Sequence, residues 1–64
     1  ETPSRRQQIE ELYERIELYE FLRELESRSE IIVSFLAVLE LLKLNRYILE
    51  SPDPLVIRRR SLER

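Results

Sequence analysis

The 64-residue chain contains no cysteine, histidine, methionine, tryptophan or glycine. Without cysteine there are no disulfides, thiolate metal sites or cysteine nucleophiles, and without histidine the commonest general base and metal ligand is missing. A phosphate-cradling loop needs glycine and cannot be built here. The longest apolar stretch, residues 31–44, would measure about 21 Å as a helix, short of the roughly 30 Å hydrocarbon core of a bilayer. No segment resembles a signal peptide or a lipidation motif, and the missing initiator Met suggests a domain excised from a longer protein. A cytoplasmic setting is compatible with the absent cysteine.

What the chain has is charge and aliphatic side chains, 38% and 42% with its aromatics included. A domain this short buries only about 60% of the surface that its unfolded chain exposes, so without staples its stability leans on packing or on a partner. The net charge of −2 argues against a chain-wide polycation for nucleic acid. The halves differ. Residues 1–32 carry five Arg and nine Glu, a balance of −4, and residues 33–64 carry six Lys and Arg against four Asp and Glu, a balance of +2.

Thr2-Pro3 places Pro at a first helical position, and Ser4 followed by Gln7 fits a capping box. Ile9, Leu12, Tyr13 and Ile16 then keep helical spacing, and Leu18, Phe21, Leu22 and Leu25 keep it in another phase. The slip falls near Glu17. With no Gly or Pro to mark a break, the pattern favours one helix over about 4–26, and two helices split near 17 are the alternative. Ser27-Arg28-Ser29-Glu30 is a second capping box. It opens a helix over about 28–44, with Lys43 suited to the negative dipole end and Asn45 to a left-handed cap. Arg46–Glu50 and Leu55–Arg59 are rich in β-formers and are separated by Ser51-Pro52-Asp53-Pro54. Prolines cannot donate to a ladder, which confines the turn to this spot and predicts a two-stranded hairpin over about 46–59. The tail from Arg60 is expected to fray. The expected class is α+β, mostly helical: a small single domain of winged-helix type, helices followed by a hairpin wing.

On a helical wheel, Ile31, Ile32, Phe35, Val38, Leu39 and Leu42 gather on one side as the expected core stripe. Glu30, Ser34, Glu40 and Lys43 lie opposite, yet Val33, Ala37 and Leu44 fall among them with Leu36 and Leu41 on the flanks. So small a fold has little mass to cover both sides of a helix. A second apolar face then predicts a partner, with Tyr47 and Leu55 of the hairpin contributing. The alternative is that the first helices and the hairpin wrap far enough to bury Leu36 and Leu41. Base readout in a major groove wants Arg, Lys, Asn or Gln, and these outward positions offer none at its centre. Nucleic-acid contact, if any, would fall to Arg58, Arg59 and Arg60, although adjacent arginines on a strand alternate faces.

Glu10 with Glu14 and Glu20 with Glu24 stand four apart, a spacing that di-metal bundles use only together with His. Ser34 has no His or Lys placed to activate it. Tyr13 and Tyr19 are expected half-buried with wet hydroxyls. No enzyme, cofactor or metal is expected.

Residues 27–46, SRSEIIVSFLAVLELLKLNR, resemble the C-terminal winged-helix domain of ScpA, the kleisin subunit of prokaryotic SMC condensin. The resemblance rests on Arg28, Glu30, Ile31 to Val33, Phe35-Leu36-Ala37, Leu39-Glu40-Leu41, Lys43, Asn45 and Arg46. It covers about a third of the chain, and with the hairpin about half. It implies a cytoplasmic, nucleoid-associated module that binds the head ATPase of an SMC protein and closes a ring used in chromosome condensation and segregation. A ScpB-type subunit would be bound only by parts of a full-length kleisin outside this chain, and no membrane is implied. The partner surface would comprise Leu36 and Leu44 as anchors, Val33 and Ala37 as floor, Leu41, and Glu40 or Lys43 at the rim. Two other classes compete with this reading: a winged-helix DNA binder using the basic wing, and a self-associating helical domain.

Overall fold

The computed structural model describes residues 2–60. Its elements run α1 (Thr2–Leu12), β1 (Arg15–Glu17), α2 (Leu18–Arg23), α3 (Arg28–Lys43), β2 (Tyr47–Pro52) and β3 (Leu55–Arg59). The architecture is α+β: three helices and a three-stranded antiparallel sheet in the order β1-β3-β2. Residues 61–64, and with them most of the expected frayed tail, lie outside the described residues.

The expected continuous helix over 4–26 is two helices with a strand between them. β1 pairs with β3 as Arg15 with Arg58, Ile16 with Ile57 and Glu17 with Val56. Ile16 fits the spacing of the first helical stripe, but it is buried as the one inward side chain of a three-residue strand. The phase slip at Glu17 marks that change of structure. There the Glu17 carboxylate caps α2, accepting the Glu20 amide at 2.7 Å. Tyr13 and Phe21 meet edge to face at 5.3 Å between ring centres and seat α2 against the end of α1. Ser4 lies inside α1, two residues past its first residue, and not at the expected cap position.

α3 begins as its sequence predicts, with Ser27 Oγ accepting the Glu30 amide at 3.1 Å. The return bond differs by one residue: Glu30 Oε1 accepts from the amide of Glu26 at 3.3 Å, not from that of Ser27. At the other end Asn45 takes φ 67°, the left-handed conformation expected of it. The amide of Arg46 bonds the carbonyl of Leu41 at 2.9 Å and the amide of Asn45 that of Leu42 at 3.0 Å. This pair of bonds is the Schellman stop. The chain then turns directly into β2, which pairs with β3 from Tyr47–Arg59 to Pro52–Leu55, with an irregularity between Leu49 and Ser51. Pro52 is tolerated because β2 is an edge strand.

The core gathers Ile9, Ile16, Leu18, Ala37, Val38, Leu41, Tyr47 and Ile57, with Phe21, Leu22, Leu42 and Leu55 packed around it. Tyr47 is 1% exposed. Its one hydroxyl proton is shared between the carbonyls of Ile9, at 3.2 Å, and of Tyr13. Arg59 follows the same inward face of the sheet and donates to the carbonyls of Glu10 and Tyr13. These carbonyls lie at and just past the C-terminal end of α1, where intrahelical donors run out, although the Ile9 carbonyl also accepts the Tyr13 amide. The hairpin therefore caps the first helix through two side chains more than 30 residues away in sequence.

Candidate functional site

α3 presents apolar side chains on two sides, but the helix is turned about its axis relative to the sequence expectation: of the expected core stripe Val38 is buried and Leu42 packs against the core, and the other four residues face outward. Ser34, Ala37, Val38 and Leu41, at i, i+3, i+4 and i+7, form the buried stripe, each no more than 1% exposed. Ile31, Ile32, Phe35 and Leu39, expected in the core, are exposed. The reason is size. Hydropathy cannot orient a helix that is apolar nearly all round, and α1 packs closely against α3 only where the intervening side chains are small. Ser34, Ala37 and Val38 keep the buried side of α3 small except at Leu41, and the bulkier Ile31, Ile32, Phe35 and Leu39 are turned to solvent.

The partner surface expected from the sequence is accordingly taken apart. Ala37, Leu41 and Tyr47 belong to the core and cannot meet a partner. Leu55 is half-buried and packs against that core. Val33 is half-buried in a groove between α1 and α3, beside Ser4, Arg5 and Gln8. Glu40 is turned to α1, 3.7 Å from Arg6. Leu44 is exposed, but it lies with Arg6, Glu10 and Arg46 on the α1 side of the helix end. Of the expected anchors only Leu36 remains on an open face, 46% exposed.

Around Leu36 stand Ile32, Phe35 and Leu39, with Ile31 at the margin, exposed by 36–52%. At ordinary side-chain areas these five expose on the order of 400 Å², as large as the biggest apolar patch of many larger monomers. The whole domain exposes only 4813 Å². One signal in the sequence could have found this face: the small residues at 34, 37 and 38, read by volume and not by hydropathy.

The basic run at the end of the hairpin is also divided. Arg59 is spent on the carbonyls of α1. Glu50 receives two bonds from Arg15, at 3.0 and 2.9 Å, and stands 3.8 Å from Arg58. The Arg15 guanidinium holds the Glu50 carboxyl below the usual carboxylate range, with Arg58 adding to the effect. Arg60 is exposed. No continuous cationic surface results from the three arginines. Tyr13 and Tyr19 are 39% and 60% exposed.

Among the described residues no group of three or more acidic, His or Cys side chains is placed to hold a metal ion. Among them, too, no helix is long and apolar enough to cross a membrane. The chain matches no protein-family model, no curated protein and no solved structure.

Proposed function

We propose that this domain is a non-enzymatic docking module of winged-helix type whose α3 face binds another protein, with an SMC head ATPase as the partner. The observation that carries the docking role is the open apolar face at Ile32, Phe35, Leu36 and Leu39. Burying such a face on association is favourable. The winged-helix reading is supported by the element order α1-β1-α2-α3-β2-β3 and by a sheet in which the first strand lies beside the last. The SMC head is the partner that the kleisin resemblance of residues 27–46 implies, and ring closure in chromosome condensation and segregation is the role that would follow. Base reading in DNA is the weaker alternative. In a helix-turn-helix derivative the groove-facing side of the second helix carries polar side chains, and here it is aliphatic and aromatic.

The test is direct mixing. Light scattering of the domain with an SMC head fragment should give a one-to-one complex. The double substitution F35E/L36E, at exposed positions, should leave the far-UV circular dichroism unchanged and weaken binding by about 30-fold or more, as removal of central apolar anchors does. A head fragment that ignores the wild-type domain removes the SMC partner. A folded double variant that binds as tightly as wild type removes the α3 face.

A further inference from the structure

The ends of the α3 face say what kind of surface fits it. Arg28 and Lys43 are exposed, and among the described residues neither side chain has an ion-pair or hydrogen-bond partner. At 100° per residue both fall within roughly 60° of each other and among Phe35, Leu39, Ile32 and Leu36. Fifteen positions of helix separate them by about 22 Å. The two acids of α3 are turned elsewhere, Glu30 back to the Glu26 amide and Glu40 to Arg6. The face is therefore apolar at its centre and cationic at both ends. Lys43 suits the local helix dipole. Arg28 does not: it occupies the first turn, where the dipole disfavours a cation, and among the described residues no acid pairs with its guanidinium.

We infer that the α3 face is matched to a protein surface that is apolar at its centre and acidic at two points about 22 Å apart, and that it is set against pairing with a second copy of this chain. The inference rests on the docking role proposed above and specifies its partner. Two copies of the face meeting at a shallow crossing angle bring cation onto cation at both ends. Antiparallel pairing sets Arg28 against the other copy's Lys43, and parallel pairing sets like on like. Repulsion of this kind selects partners as effectively as attraction does. An acidic protein surface accounts for both charges. An anionic lipid surface does not, since lipid recognition wants clusters of four or more cations, and the domain carries a net charge of −2.

The probe is a charge-reversed copy of the domain, R28E/K43E, which keeps all five apolar side chains and carries acids at both ends. Isotope-labelled wild-type domain is titrated at 50 mM salt with unlabelled R28E/K43E and, separately, with unlabelled wild type. The mixed pair should shift the amide signals of Ile32, Phe35, Leu36 and Leu39 with at least tenfold higher affinity than the wild-type pair, and the difference should vanish at 500 mM salt. Wild type pairing with itself as well as with R28E/K43E, or no shift in the mixture, would overturn the inference. So would sedimentation of the wild-type domain with phosphatidylserine-containing vesicles that R28E/K43E does not follow. An SMC head that binds wild type, loses F35E/L36E and keeps R28E/K43E unchanged leaves the docking role standing and removes this inference alone.

Discussion

Replacing Tyr47 with Phe removes one oxygen and leaves the shape of the side chain intact. That oxygen serves the carbonyls of Ile9 and Tyr13 at the end of α1. The Ile9 carbonyl keeps the amide of Tyr13 at 2.9 Å, whereas the Tyr13 carbonyl is left with the 3.5 Å approach of Arg59. An unserved buried acceptor costs about 1–3 kcal/mol, and with one of the two still served the loss should be about 1–2 kcal/mol. In a domain of this size that is a fall in Tm of roughly 5–15 °C. Urea unfolding followed by circular dichroism at pH 7 gives the difference directly. The pH dependence supplies a second readout. Burial holds the Tyr47 phenol above its ordinary value near 10, against the opposing charge of Arg59. The folded state thus keeps this proton after the unfolded chain has begun to lose it. Stability is unaffected well below pH 10 and falls as pH rises from the unfolded value toward the folded one. Tyr47→Phe lacks that titration, so the gap between wild type and variant should narrow from pH 7 to pH 11. Equal stabilities at pH 7 within about 0.5 kcal/mol, the spread of neutral surface changes, would refute the capping role of Tyr47.

Substitutions at four further positions probe the fold. Ser34 is fully buried and its hydroxyl has no partner among the described residues, so Ser34→Ala should raise stability by up to about 1 kcal/mol in the same urea titration. Leu41 and Leu39 lie on opposite sides of α3, 1% and 44% exposed; Leu41→Ala should cost about 2–5 kcal/mol and Leu39→Ala less than about 1. The reverse order would restore the face assignment read from hydropathy. At Asn45, φ 67° favours a residue without a Cβ, so Asn45→Gly should gain a few tenths of a kcal/mol and Asn45→Val lose about 1–2, measured as shifts in Tm.

The parts of this fold legible in the sequence are those specified by neighbouring residues. The Ser27 cap and the left-handed Asn45 depend on chemistry within four positions, and the structure has both; the expected turn over 51–54 narrows to Asp53-Pro54, because Ser51 and Pro52 pair with Val56 and Leu55 in the edge strand. β1 depends on chemistry 40 residues away: Arg15–Glu17 is extended because β3 is there to pair with it, and three residues hold too short a pattern to announce a strand. The orientation of α3 was illegible by hydropathy for a related reason. Only Ser34, Glu40 and Lys43 interrupt the apolar run from 31 to 44, so the wheel offers two acceptable core sides. Ser34, expected on the wet side, is among the most buried residues. The roles of Tyr47 and Arg59 were hidden too, because the carbonyls they cap exist only once α1 has ended at Leu12.

The turn of α3 away from its expected orientation follows from the scale of the domain. A core of eight buried side chains closes only if the central helix approaches α1 and the sheet closely, which requires small residues at 34, 37 and 38. The bulky apolar residues of α3 are then displaced outward by the same requirement. Left alone, such a face is an invitation to self-association. Two features limit this hazard: Arg28 and Lys43 place like charge at both ends of the face, and Glu30 and Glu40, which would neutralise them between copies, are engaged elsewhere. Arg28 stands in the first turn of α3 against the helix dipole, a misplacement of about 0.3–1 kcal/mol. Residues that break a local rule without local compensation are expected at functional positions. Arg28→Glu should therefore raise the stability of the isolated domain while lowering affinity for an acidic-ended partner. A stability decrease on Arg28→Glu would show that the arginine serves the fold, and the docking reading of the cationic ends would fail with it.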